Sequence, residues 1–286
     1  MFLFLLLITA GLGTAAWLAI EPRIKRKRRE RWQNESFPSS WDRILTDRVA
    51  FYRWLPPGLR TRLQGLIQVF MHEKTFVGCN ELVVTDEMRV IIAAHACLLV
   101  INRPRVPAEG LYDDLFSLLV YPSPFVVAET RAIGHGLVTE GRRVLSGQAW
   151  DSRRILLSWD DVQQAEFGGH NVVLHEFAHY LDMEDEVMDG APGLNSKRAY
   201  QDWSRVFWNE FGQLRAAIYS GQPTIIDPYA ATSPAEFFAV VTETFFQKPH
   251  ELATAHAALY AQLQKYFRVD PTTWVPRPEP PIDGGG

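Results

Sequence analysis

Asn171-Val172-Val173-Leu174-His175-Glu176-Phe177-Ala178-His179-Tyr180-Leu181-Asp182 is the stretch that decides the reading of this chain. Apolar residues surround its three central polar groups, so a helix formed here has almost no solvated side and is expected to be buried. His175 and His179 stand four residues apart, one above the other on a single helical face. Glu176 follows the first histidine by one residue, about 100° round the helix. Burying two imidazoles and a carboxylate without partners is costly. A metal ion is the partner this spacing predicts, zinc above all, with Glu176 beside a metal-bound water and outside the ligand set.

A zinc ion used for chemistry takes three protein ligands and keeps one position for water. Three carboxylates compete for the third place. Asp185 lies six residues after His179, the compact solution, but that geometry needs a sharp turn at a glycine three residues after the second histidine. Asp182 occupies that position and the next glycine is Gly190. Glu236 lies in Ser233-Pro234-Ala235-Glu236-Phe237-Phe238-Ala239-Val240, which reads as a helix opening with Ser233 at the N-cap and Pro234 at the first helical position. Ser-x-x-Glu is also a capping box, so Glu236 has an ordinary reading as well. Glu243 comes seven residues later, on nearly the same face. One of the two can ligate while the other holds a ligand imidazole from behind, and spacing favours neither. Asp182, three residues after His179, can hold the outer nitrogen of a ligand histidine or simply end the helix. His170, just before the metal helix, can point into the cleft but reads first as a loop or cap residue, and His72, His95, His135, His250 and His256 show no partner pattern.

Elsewhere the pattern predicts an α+β fold, mostly helical with a small sheet. Trp41 to His72 reads as helix broken at Pro56-Pro57-Gly58. Thr85-Asp86-Glu87 opens a helix that runs to Val100. Leu118 to Val127, with Pro122 and Pro124, suits an edge strand. Arg154 to Trp159 reads as a strand, followed by a short helix from Asp160 to Glu166 that Gly168-Gly169 ends. Leu181 to Ser196 reads as an acidic loop. Lys197 to Tyr219 is helical with Trp203, Phe207, Phe211 and Leu214 on one face, a core stripe. Glu236 to Gln247 and Ala253 to Phe267 complete the helices. Cys79 and Cys97 are too few for a disulfide framework.

The front of the chain has a different character. Phe2 to Ile20 carries no charge, and at about 1.5 Å per residue it nearly reaches the roughly 30 Å of a bilayer core. The organisation expected is a transmembrane anchor over 1–22, a basic juxtamembrane segment and linker over 23–40, one folded domain over 41–270, and a disordered Pro/Gly-rich tail over 271–286. Arg23, Lys25, Arg26, Lys27, Arg28, Arg29 and Arg31 follow the apolar run, which marks that side as cytoplasmic and makes anionic lipid headgroups the partner of 23–31. Nucleic acid is not expected. With those seven of the 29 Lys+Arg set aside, together with Glu21 and Glu30, 22 basic residues face 31 acidic ones, a surplus of nine negative charges.

Several stretches together give the chain a likeness to a known family. They are Leu119 to Val127 (LVYPSPFVV), Ser146 to Trp150 (SGQAW), Asn171 to Asp182 (NVVLHEFAHYLD) and Asp227 to Val240 (DPYAATSPAEFFAV). In these the chain resembles the Mlc titration factor A family, bacterial zinc metallopeptidases, from about Trp41 to Pro271. The resemblance implies a zincin-like domain, a zinc site of His175, His179 and Glu236, and Glu176 as general base. Tyr229 falls where the family has a tyrosine near the site, a second donor to the oxyanion. In a zincin the strand before the metal helix often lines the substrate cleft. The resemblance further implies a peptide or protein substrate, with trimming from the amino end, and a regulatory protein partner such as a transcriptional repressor. At its front end the chain departs from the soluble cytosolic members of the family, and the apolar run with the positive-inside reading predicts a single-pass protein of the bacterial inner membrane with its catalytic domain in the cytoplasm.

Overall fold

The computed structural model describes residues 17, 20–104, 106–133, 137–145, 147–151, 154–165, 170–185 and 187–278. Helix α1 covers residues 20–33. It is followed by α2 (Ser39–Arg48), α3 (Ala50–Trp54), α4 (Pro57–Glu73), β1 (Thr75–Gly78), α5 (Asp86–Leu99) and β2 (Ser117–Tyr121). A hairpin of β3 (Phe125–Ile133) and β4 (Leu137–Leu145) leads to β5 (Gly147–Asp151), β6 (Arg154–Ser158), α6 (Trp159–Gln164) and α7 (Val172–Asp182). Four further helices close the chain: α8 (Lys197–Tyr219), α9 (Pro234–Gln247), α10 (Pro249–Ala255) and α11 (Ala257–Phe267). The fold is thus mostly helical around a small sheet, as the sequence predicts.

The sheet has the order β1-β2-β6-β5, with β1, β2 and β6 parallel and β5 antiparallel to β6. One expectation changes here. Ser117–Tyr121 is an inner strand, not an edge, because Pro122 falls just after it and leaves every ladder N–H of the strand in place. Arg154–Ser158 is also inner, and the edges are Thr75–Gly78 and Gly147–Asp151. A bulge between Ala149 and Asp151 bends the latter strand. Helix α7 packs against both β5 and β6.

Local chemistry sets the helices. Thr85 caps α5 by accepting from Met88 N at 3.3 Å, and the helix it opens is buried on nearly all sides. Pro57 opens α4 at the break read from the sequence. The stripe on α8 meets α9: Trp203 lies edge-on to Phe238 at 5.7 Å, and Phe207 and Phe211 pack on Phe237 at 4.7 and 5.5 Å. On the other side of the core, Phe177 of α7 meets Phe70 at 6.0 Å and Tyr112 at 4.9 Å. Burying each such aromatic ring contributes about 2–3 kcal/mol. These contacts fix α7 and α9 before any ligand is considered.

The segment 23–40 is not simply a linker. Residues 20–33 are helical, and only the connection to α2 is irregular. Arg29 is buried, paired with Glu73 at 2.6 Å and with Asp113 at 2.7 Å, so this member of the basic run belongs to the folded body and not to a headgroup. At the other end, Pro271–Thr273 forms a turn with Pro271 buried, and His250 Nε2 bonds Val275 O at 2.7 Å. The expected tail is therefore packed in its first residues, while 279–286 lie outside the described residues. The helix expected over Ala253–Phe267 is two helices, with His256 between them. Most of the apolar run over 2–20 lies outside the described residues, among which no helix is long and apolar enough to cross a membrane.

Candidate metal centre

Asn171 begins the site. Its side chain caps α7 by accepting from Leu174 N at 3.1 Å, which fixes where the helical repeat starts and so which way the histidines point. All eleven residues of α7 are buried. His175 and His179 meet edge to face with ring centroids 4.7 Å apart and their Nε2 atoms 3.1 Å apart.

The third group comes from α9. Ser233 caps this helix through Glu236 N at 3.2 Å, so the cap uses the backbone of Glu236 and leaves its carboxylate to reach across. Glu236 Oε2 lies 3.0 Å from His175 Nε2 and 3.4 Å from His179 Nε2. This oxygen is buried yet makes no well-aligned hydrogen bond among the described residues. Two imidazole nitrogens and one carboxylate oxygen thus converge on one point, and the donor set fits a divalent cation.

Glu243, two turns further along α9, works from behind. Its Oε1 lies 2.8 Å from His175 Nδ1, so the imidazole donates there and turns its Nε2 lone pair to the common point. Its Oε2 accepts from Asn171 N at 2.6 Å and lies 2.9 Å from His170 Nδ1. Glu236 faces the point between the imidazoles, and Glu243 faces the outer edge of one of them. Asp185 closes the turn Met183–Asp185 that continues α7.

Asp182 ends α7. Its Oδ2 accepts from Gly190 N at 2.9 Å, while His179 Nδ1 has no hydrogen-bond partner among the described residues. At the helix end its carboxylate turns to the following loop, where a buried N–H needs an acceptor. The loop read as acidic and open is in part folded back: Trp203 Nε1 donates to Gly190 O at 2.9 Å. Tyr229 sits on the turn Pro228–Thr232, half-exposed, with its ring centroid 6.2 Å from that of His175.

Charge is concentrated here without solvent. Burial works against a charge on His175, but Glu236 and Glu243 outweigh it and push its pKa up to about 10. Burial likewise opposes charge on the two glutamates, and the facing histidines hold both below the usual carboxylate range. The carboxylates of Glu236 and Glu243 make the pocket attractive to a cation. Glu176 is buried, and burial pushes its pKa up against the pull of His175 and His179. Its Oε2 has no hydrogen-bond partner among the described residues.

Sequence reasoning missed two contacts. His170 was legible as a residue that can face the cleft but not as a partner of Glu243, which lies 73 positions away. Gly190 carried a turn signal but no hint that it touches the helix of Glu236.

A His-Glu-x-x-His helix beside a mixed sheet and a glutamate from a later helix bring together three groups that could hold a metal ion. The chain belongs to the glucose-regulated metallo-peptidase M90 family, whose model matches residues 23–268. An uncharacterized protein of Synechocystis sp. is 40% identical over 271 residues, covering 93% of this chain and 97% of that one. Mlc titration factor A of Pectobacterium atrosepticum is 34% identical, covering 73% and 79%. Mlc titration factor A of Yersinia pestis is 32% identical, covering 73% and 77%. The resemblance read from the motifs is thereby shown, and the family implies a metal ion.

Proposed function

We propose that this protein is a zinc-dependent peptidase, with His175, His179 and Glu236 as ligands. The observation that carries the reading is the meeting of their Nε2, Nε2 and Oε2 atoms within 3.0 to 3.4 Å in a buried pocket beside Glu176. Zinc held by these three residues would act as a Lewis acid and would lower the pKa of a bound water from about 15.7 toward about 7. Glu176 takes the proton of the attacking water and passes it to the leaving amine, so the amide bond breaks without a free amide anion. Tyr229 donates its hydroxyl hydrogen to the developing oxyanion from the open side of the pocket. Glu243 keeps His175 in the tautomer that ligates. The edge strand β5 offers backbone groups to which an extended peptide can pair.

The test is Glu176→Gln. Zinc content is expected to stay near that of the wild type while peptide hydrolysis falls about 10²- to 10⁴-fold. Unchanged hydrolysis would remove Glu176 from the mechanism.

The second reading is capture of a regulatory protein, favoured by the name Mlc titration factor A borne by relatives. The two are separated by a pull-down with the Glu176→Gln protein, which keeps a captured partner intact. The apolar run 2–20 is proposed to anchor the chain in the bacterial inner membrane, with the exposed residues of the basic run 23–31 on anionic headgroups and the catalytic domain in the cytoplasm.

A further inference from the structure

His170 takes no part in the chemistry above, yet it stands against the centre of it. Its ring lies 4.9 Å from that of His175, at 70°. Its Nδ1 lies 2.9 Å from Glu243 Oε2, the oxygen that also accepts from Asn171 N at 2.6 Å. The other oxygen of the same carboxylate lies 2.8 Å from His175 Nδ1. The residue is itself exposed, while Glu243 and His175 are buried.

A glutamate side chain has three rotatable bonds, and its terminal torsion is broad and roughly two-fold. One backbone N–H leaves the carboxylate free to pivot about that contact. A second donor on the same oxygen, arriving from a different direction, stops the pivot. A cap role for His170 would need contact with the first free N–H groups of α7, but Asn171 meets that need through Leu174 N. The contact recorded for His170 goes to the carboxylate instead.

We propose that His170 is a positioning residue for the metal centre. Together with Asn171 N it fastens Glu243 Oε2, so that Oε1 stays on His175 Nδ1 and His175 Nε2 stays aimed at the point shared with His179 and Glu236. The inference rests on the metal reading of that point. Outer partners of ligand imidazoles affect metal affinity about 10- to 100-fold in general; a residue one step further out is expected at the lower end.

The experiment uses the full chain, purified in detergent, as wild type, His170→Phe and His170→Asn. Zinc affinity is measured by competition with a chelator, and apo-protein stability by thermal unfolding in excess chelator. His170→Phe keeps the ring and removes the donor; it is expected to weaken zinc binding about tenfold without moving the apo midpoint. His170→Asn, whose amide can donate in place of Nδ1, is expected to recover most of the loss. Zinc affinity of His170→Phe within twofold of wild type would overturn the inference. So would a loss that comes with an equal fall in apo stability and is not recovered by asparagine. Two zinc ions per wild-type chain, one of them lost in His170→Phe, would make His170 a ligand and overturn the positioning role. Wild-type protein that binds no zinc at all would instead bring down the metal reading, and this inference with it.

Discussion

His95 shows how strongly single residues here are governed by burial. It lies inside α5, donates from Nδ1 to Ile91 O at 2.9 Å and meets Phe51 edge-on at 5.2 Å. Burial lowers its pKa to about 4, against the hydrogen bond to Ile91, which raises it. The unfolded chain takes up this proton near pH 6.5 and the folded chain only near 4. Between those values the unfolded state binds more protons, so stability falls as pH drops through that window. At pH 5 the loss attributable to His95 is about 2 kcal/mol. Urea midpoints at pH 7 and pH 5 are expected to converge by that amount more in His95→Gln than in wild type; equal losses in both would show that His95 titrates normally. At the site, Glu236→Ala is expected to lose zinc by elemental analysis, whereas retention of one ion per chain would transfer the third place elsewhere. The histidine pair and Glu176 were legible because four-residue spacing on a helix is a local property. Glu236 and Glu243 were not separable by spacing, because residues seven apart share a face. Only the height of α9 along α7 decides which of them reaches the shared point.

Among the elements, the junction of α7, α8 and α9 carries the site. Gly190 joins all three: its N–H goes to Asp182, its carbonyl to Trp203, and a Cβ there would come within 2.5 Å of Pro234 O and 2.8 Å of Phe207 Cε1. Its φ of +82° is also one that L side chains rarely adopt. Gly190→Ala is expected to cost about 2–4 kcal/mol, from left-handed strain and overpacking together. Because Pro234 lies two residues before Glu236, the same variant should bind zinc more weakly. Denaturant unfolding with and without zinc checks both; a variant as stable as wild type would mean the junction relaxes freely. Capped helices and the aromatic stripe of α8 were readable as elements, since caps and periodicity are written in adjacent residues. The order of strands was not, and Arg154–Ser158 and Ser117–Tyr121 both turned out to be inner strands.

On the scale of the whole molecule, charge is divided between a basic front and an acidic remainder. Helix α1 joins the two through Arg29, which is held by Glu73 and Asp113. That contact ties α1 to the folded body. Full-length protein is expected to sediment with membranes and to resist a high-salt wash. A chain lacking 2–19 should be released by salt, since headgroup attraction alone is screened within about 10 Å at 0.1 M. Full-length protein found in the supernatant at low salt would refute the anchor.

The twelve residues from Asn171 to Asp182 determined by themselves a buried helix, a pair of imidazoles on one face and a carboxylate beside them. Each of these depends only on residues within two helical turns. The tertiary structure alone decided that Glu236 faces the imidazoles, that Glu243 and His170 stand behind His175, and that Asp182 serves a loop. These are distances between segments remote in sequence, and they are set by how aromatic side chains of α8 and α9 pack, which no local pattern encodes.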